Sequence, residues 1–206
     1  MRKIIISCFF LVFFIINLVL VLTNHSFVID NGVYNYLTTN RNVTMTNIFI
    51  ILTFLGSTLY IVILNIAIFV YTILRKKYQY SLFLANSLTS VLANNILKAI
   101  VQRPRPDVLR LVTETGYSYP SGHTMIAILF YGTIIYFLFK YKVKGKWLVT
   151  SVLVLLMIGI AVSRIYLGVH YASDVIGGIL MAISLILITT TLHESLIEKE
   201  WLKLKQ

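Results

Sequence analysis

Three short stretches of this chain hold residue types that could do chemistry together. The first is Lys98-Ala-Ile-Val-Gln-Arg-Pro-Arg105-Pro106, the second is Pro120-Ser121-Gly122-His123, and the third runs from Ser163-Arg164 to His170 and Asp174. Lys98, Arg105 and Arg164 are cations set in or beside apolar sequence, where a charge is costly unless an anion visits. Phosphate suits them, because guanidinium and ammonium groups donate charge-assisted hydrogen bonds to its oxygens. Ser121 and the Gly122 amide stand where a helix is expected to start, at the end whose dipole favours an anion. A glycine there also lets the backbone approach a ligand closely. His170 and Asp174 are four residues apart, so on a helix they share a face. A carboxylate bonded to one imidazole nitrogen fixes the tautomer and turns the other nitrogen outward. That is the arrangement of a nucleophile with its orienter. A metal site is the other reading, with His123, His170 and Asp174 as a two-histidine, one-carboxylate set. Three nearby cations would repel a divalent ion, so no metal is expected.

Read as K-x6-R-P, P-S-G-H and S-R-x5-H-x3-D, the three pieces are complete and in order. They resemble the tripartite signature of the type 2 phosphatidic acid phosphatases, a family that includes membrane lipid phosphatases and whose site soluble haloperoxidases share. The resemblance implies that His170 attacks phosphorus to form a phosphohistidine, with Asp174 orienting it. It implies that His123 protonates the leaving alkoxide and then activates water. Lys98, Arg105, Ser121, Gly122 and Arg164 would hold the phosphoryl oxygens through the transition state. The chemistry it implies is metal-independent and uses no cofactor. The short chain is similar to compact bacterial members, whose substrates include phosphatidylglycerol phosphate and undecaprenyl diphosphate; phosphatidic acid belongs to the same substrate class. The first would place the protein in phospholipid synthesis, the second in recycling of the cell-wall lipid carrier. The signature does not choose a headgroup. Two other functions share these residues: transfer of the phosphate to another lipid, and transport or binding of a lipid phosphate. The last would keep the cations without needing two histidines and Asp174.

The elements that must position these residues follow from the apolar pattern. The chain has 206 residues, 58% of them hydrophobic, too apolar for a soluble domain of this size. Apolar runs of about 18 or more residues read as membrane spans. An all-α bundle of six transmembrane helices is expected, forming one integral-membrane domain over residues 1–206. The first run, Ile4 to Leu22, follows Arg2-Lys3 and ends in Thr23-Asn24-His25 without a small-residue cleavage site, which reads as an uncleaved signal-anchor. Residues 24–46 are polar and mixed; Asp30 or Asn31 could cap a short helix with Val33, Tyr36 and Leu37 on one face, lying on the membrane surface. Further spans are expected near Ile48–Leu74, Tyr80–Val101, His123–Phe139, Trp147–Val162 and Tyr171–Leu192, before a charged tail from His193.

The net charge of +11 does not indicate a nucleic-acid partner, because no basic stretch interleaved with aromatics stands clear of the apolar runs. It fits membrane topology better. Twelve of the 18 lysines and arginines fall in the terminal segments and two even-numbered connections: Arg2, Lys3, Arg75, Lys76, Lys77, Lys140, Lys142, Lys144, Lys146, Lys199, Lys203 and Lys205. That face is expected to be cytoplasmic, with both termini on it. The other six are Arg41, Lys98, Arg103, Arg105, Arg110 and Arg164, so the signature cations lie at the extracytoplasmic face, against the usual bias. Among the remaining residues, His25 and His193 read as interfacial, Arg41 and Arg110 as interfacial anchors, and Arg103 as a flanking phosphate or headgroup contact, or nothing. Gly177-Gly178 reads as a close helix-packing point. Cys8 stands alone, so no intrachain disulfide forms. Asn24-His25-Ser26 and Asn42-Val43-Thr44 match the glycosylation pattern.

Overall fold

A computed structural model describes the backbone of residues 2–203 and the side chains of residues 2–196. No strand occurs among the described residues. The helices are α1 (Arg2–Leu22), α2 (Phe27–Thr38), α3 (Val43–Leu55), α4 (Thr58–Leu74), α5 (Ser81–Val101), α6 (Gly122–Lys140), α7 (Lys146–Tyr166) and α8 (Ala172–Lys203), with a short 3-10 turn at Tyr78–Tyr80. Helix α6 packs against α5, α7 and α8, and α8 runs along α1.

Four helices are long and apolar enough to cross a bilayer: α1, α6, α7 and the Ala172–Leu196 part of α8. Helices α3 and α4 pass the same test together, bent by 42° at the break between them. Ser57 makes that break, accepting a hydrogen bond from the Tyr60 amide to cap α4. Helix α5 matches α1 in length, 21 residues each, but its serines and asparagines make it much less apolar. Those residues face inward. Asn86 donates to Thr133 of α6 at 2.6 Å, Ser87 accepts from Asn65 of α4 at 2.9 Å, and Asn94 donates to the Pro120 carbonyl at 3.0 Å. In an apolar setting such interhelical bonds contribute about 0.6 kcal/mol each on average. They bind α5 into the bundle beside an aromatic cluster of Phe83, Phe130 and Phe137. The outward faces of α1, α4 and α7 carry exposed residues such as Ile5, Phe9, Ile63, Ile66, Leu148 and Leu155. Continuous apolar exposure of this extent marks a lipid-facing surface.

Several expectations need correction. The charged stretch after the expected span is also helical, with α8 continuing to Lys203. The side chains of Lys199, Lys203 and Lys205 lie outside the described residues. Helix α2 begins at Phe27, so Asp30 does not cap it and instead sits in its first turn, fully buried. Asp30, Val33, Tyr34 and Leu37 recur at helical spacing on the buried side, where the last three pack on Ala161, Ile165, Ala172 and Val175 of α7 and α8. Tyr36, expected on that side, is 83% exposed because it lies about a third of a turn away from it. His193 is not simply interfacial: it bonds Tyr136 of α6 and the Gln79 carbonyl. Arg41 staples loops, donating to the carbonyls of Leu109 and Tyr166 and stacking on Tyr34 and Tyr166. Arg110 folds back on the Pro106 carbonyl.

Candidate active site

The site forms where four helices end on one side of the bundle. Helix α5 stops at Gln102, which adopts the left-handed conformation (φ 49°) while its amide returns to the Lys98 carbonyl. Arg103-Pro104-Arg105-Pro106 cannot continue a helix, since each proline lacks an amide donor and pushes its predecessor toward extended backbone. Lys98 therefore stays in the last turn of α5, and Arg105 enters the 102–121 loop. That loop closes onto α8. The Ser121 amide donates to the Asp174 carbonyl at 3.0 Å, and Ser121 is the N-cap of α6. Gly177-Gly178 admits this contact: a Cβ at 178 would lie 3.0 Å from the Ser121 carbonyl oxygen, and one at 177 would lie 2.6 Å from the Tyr119 hydroxyl. The close packing expected at these glycines is thus loop against helix.

Arg164 occupies the last turn of α7. The turn after it needs Gly168, whose φ of 75° suits glycine and whose Cβ would meet the Leu109 carbonyl oxygen at 2.6 Å. The amides of Val169 and His170 both return to the Arg164 carbonyl at 3.2 Å. His170 therefore precedes α8 instead of lying on it, which corrects the shared-helix-face argument. Asp174 still reaches it, because Asp174 is the third residue of α8 and folds back to the start. Its Oδ2 accepts from the Tyr171 amide at 2.9 Å, as in a capping box, and lies 3.3 Å from His170 Nδ1.

The other ring nitrogen, Nε2, stands 3.3 Å from Arg105 Nη1. With Nδ1–H donating to Asp174, Nε2 carries the lone pair and faces the guanidinium. His170 is 2% exposed. Burial depresses its pKa first, Arg164 and Arg105 add to the effect, and Asp174 opposes it, leaving a value of about 4. The imidazole is neutral at pH 7. Arg105 is itself fixed, donating to the carbonyls of Val169, Thr115 and Gly116 at 2.8, 2.9 and 3.1 Å. Arg164, 1% exposed, donates to Thr53 of α3 and to Glu114, and its Nε has no hydrogen-bond partner among the described residues. Lys98 lies within electrostatic range of Arg105, Glu114, Arg164 and Asp174. Ser121 is buried, its hydroxyl accepting from Thr124, and Gly122 beside it begins α6 against Asn94. His123 Nε2 is 3.8 Å from Glu114 Oε1. The structure thus gathers Lys98, Arg105, Ser121, Gly122, His123, Arg164, His170 and Asp174. Among the described residues no three of His, Cys, Asp and Glu converge as a metal-binding group.

Two features were not read from the sequence. Glu114 places its carboxylate in the middle of the cations, bonded to Arg164 and 3.7 Å from Arg105. Burial works against its ionisation, but Arg164 and Arg105 outweigh burial and hold the carboxyl below its usual range. Arg103 does not face the same pocket as Arg105. It turns the other way and pairs with both Asp174, at 2.6 Å, and Asp30, at 2.8 Å. A signal existed: the chain has only seven acidic residues, so Asp30 and Glu114, in segments shared with the signature cations and Arg41, were conspicuous.

Paired histidines and a nest of cations at one end of an apolar helical bundle define a membrane-embedded phosphatase. Residues 76–198 match the PAP2 superfamily, and the chain belongs to it. It is 36% identical over 139 residues to phosphatidylglycerophosphatase B of Bacillus subtilis (strain 168), a match covering 66% of this chain and 67% of that protein. The fold is similar to the crystal structure of the first transmembrane PAP2 type phosphatidylglycerolphosphate phosphatase from Bacillus subtilis, with a TM-score of 0.86 and 30% identity, covering 95% of this chain and 98% of the other. It is also similar to LpxE of Aquifex aeolicus, with a TM-score of 0.65 and 25% identity, covering 79% and 95%. The protein is an integral-membrane phosphatase of the lipid phosphatase class.

Proposed function

We propose that this phosphatase removes a terminal phosphate from a membrane lipid, with phosphatidylglycerol phosphate as the first candidate. One observation carries the reading of the pocket. Glu114, an internal carboxylate, is already held by Arg164 and Arg105 beside His123 and His170. A pocket that stabilises those oxygens is built for a phosphoryl group. The names of the Bacillus subtilis relatives support the choice of headgroup.

In this reading the His170 Nε2 lone pair attacks phosphorus and the bond from phosphorus to the lipid oxygen breaks. His123 gives its proton to that leaving oxygen. Asp174 holds Nδ1–H and stabilises the ring as it gains positive charge. Lys98, Arg105 and Arg164, with Ser121 and the Gly122 amide at the start of α6, carry the charge on the phosphoryl oxygens. Water then loses a proton to His123 and attacks the phosphohistidine, releasing inorganic phosphate and restoring His170. Helix α5 is the third of six spans, both termini are cytoplasmic, and the site opens on the extracytoplasmic side. The charge distribution supports that orientation.

The test is phosphate release by the purified protein in mixed micelles, across phosphatidylglycerol phosphate, phosphatidic acid and undecaprenyl diphosphate. The highest kcat/KM is expected for phosphatidylglycerol phosphate. Preference for the diphosphate would overturn the headgroup assignment, and label appearing in a new lipid instead of inorganic phosphate would make the reaction a transfer.

A further inference from the structure

We propose that Asp30 and Arg103 are positioning residues for the His170–Asp174 pair, forming a buried chain of alternating charge through which helix α2 fixes how Asp174 presents itself to His170. The inference rests on His170 being the nucleophile. Every oxygen in the chain is committed. Asp30 Oδ1 accepts from the Ser173 amide at 2.8 Å, and Oδ2 accepts from the Ser173 hydroxyl at 2.8 Å and from Arg103 Nη2 at 2.8 Å. Arg103 Nη1 donates to Ser173 Oγ at 2.7 Å and to Asp174 Oδ1 at 2.6 Å. Its guanidinium lies 4.0 Å from the centre of the Tyr171 ring. With Oδ1 of Asp174 taken by Arg103, Oδ2 is left to the Tyr171 amide and to His170 Nδ1. The carboxylate can neither rotate nor withdraw without breaking a charged bond.

Docking of α2 does not need these charges. Val33, Tyr34 and Leu37 already pack it on α7 and α8. Burying ions from three separate elements is costly, and apolar replacements of a buried ion pair are often neutral or stabilising. Asp30 and Asp174 are fully buried. A chain kept at that cost, ending on the nucleophile's partner, points to the reaction. Its charges also act on His170. Asp174 favours a protonated ring, and Arg103, paired with its Oδ1 at 2.6 Å, offsets part of that negative charge and so adds to the burial that keeps the ring neutral. Asp30 in turn tempers Arg103. The other groups facing the pair are Arg105 and Glu114 of the loop, Arg164 of α7, His123 of α6 and Lys98 of α5, with the Tyr119 and Tyr171 hydroxyls near Asp174.

The experiment is the pH dependence of kcat/KM for phosphatidylglycerol phosphate, using the full chain in detergent as wild type, Arg103→Gln, Arg103→Lys and Asp30→Asn. Losing Arg103 should move the acid limb upward by about one pH unit, the low end for a close charge partner. Arg103→Lys should return it toward wild type. Asp30→Asn should move it the other way, because a negative charge has gone. A merely structural role would lower kcat and leave the limbs in place. Unmoved limbs, or movement of both variants in the same direction, would overturn the proposal. If Arg103→Gln does not fold, the direction of the Asp30→Asn limb decides alone. Alkaline trapping of phosphate on His170 in the wild type separates the two readings. No label on His170 defeats the nucleophile assignment, whereas label with unmoved limbs defeats only this one.

Discussion

Glu114→Gln removes one charge while keeping the shape of the side chain, and it tests whether the signature cations form an anion site. Glu114 is bonded to Arg164 and lies beside Arg105, so in the proposed reading an incoming phosphate displaces the carboxylate from Arg164 and weakens its contact with Arg105. A hydrogen bond to a charged group contributes about 1.5–3 kcal/mol net. Replacing the carboxylate by a neutral amide gives back most of that to the incoming anion. At about 1.4 kcal/mol per tenfold, orthovanadate should inhibit at roughly ten- to a hundredfold lower concentration. The assay is inhibition of phosphate release from mixed micelles, with thermal unfolding in detergent confirming that the variant folds. Phosphate product should bind more tightly as well, so turnover is expected to fall if release becomes limiting. Unchanged or weaker vanadate inhibition in a folded variant would refute the idea that Glu114 and phosphate share these cations.

Three further outcomes follow from the same geometry. In the proposed mechanism His170 attacks as the neutral ring, and its pKa is pushed down to about 4, so kcat/KM should hold as pH falls through the ordinary histidine range near ~6.5 and fall only toward pH 4; an acid limb at the ordinary value would contradict a buried, neutral nucleophile. His123→Ala should lose far less activity on a substrate with a very acidic leaving group than on a lipid alkyl phosphate, while His170→Ala should be inactive on both; equal impairment of His123→Ala on the two would remove its general-acid role. In a Cys8→Ser background, a cysteine at Thr113 should be labelled from outside intact cells and one at Lys144 should not, and the reverse pattern would overturn the orientation.

The sequence shows the parts of the site whose residue types are unusual for their setting. Lys98, Arg105, Arg164 and the two histidines stood out because a charge or an imidazole beside apolar sequence needs a reason. Helices α1, α6 and α7 were legible from apolar length alone. Helix α5 is expected as a span near Tyr80–Val101, but the sequence does not show how its Asn and Ser residues are satisfied, which depends on partners on α4 and α6. The direction of a side chain was not legible. Arg103 and Arg105 are two residues apart, a spacing that would share one face of a regular strand, but in this irregular loop one reaches Asp30 and Asp174 while the other reaches His170. Glu114 sits in a 20-residue loop without regular structure, where no period predicts what a side chain meets. Asp30 resembled a helix cap because aspartate serves equally as a cap and as a partner in a buried ion pair.

The central claim is that His170 carries the phosphoryl group. Wild-type protein mixed with a lipid bearing radioactive phosphate and quenched within the first turnover in alkaline detergent should hold label that alkali preserves and acid releases, the behaviour of a phosphoramidate. Peptide mapping should place that label on His170, and His170→Gln should hold none. Label on His123 or on another residue, or no covalent label under conditions where phosphate is being released, would contradict the account.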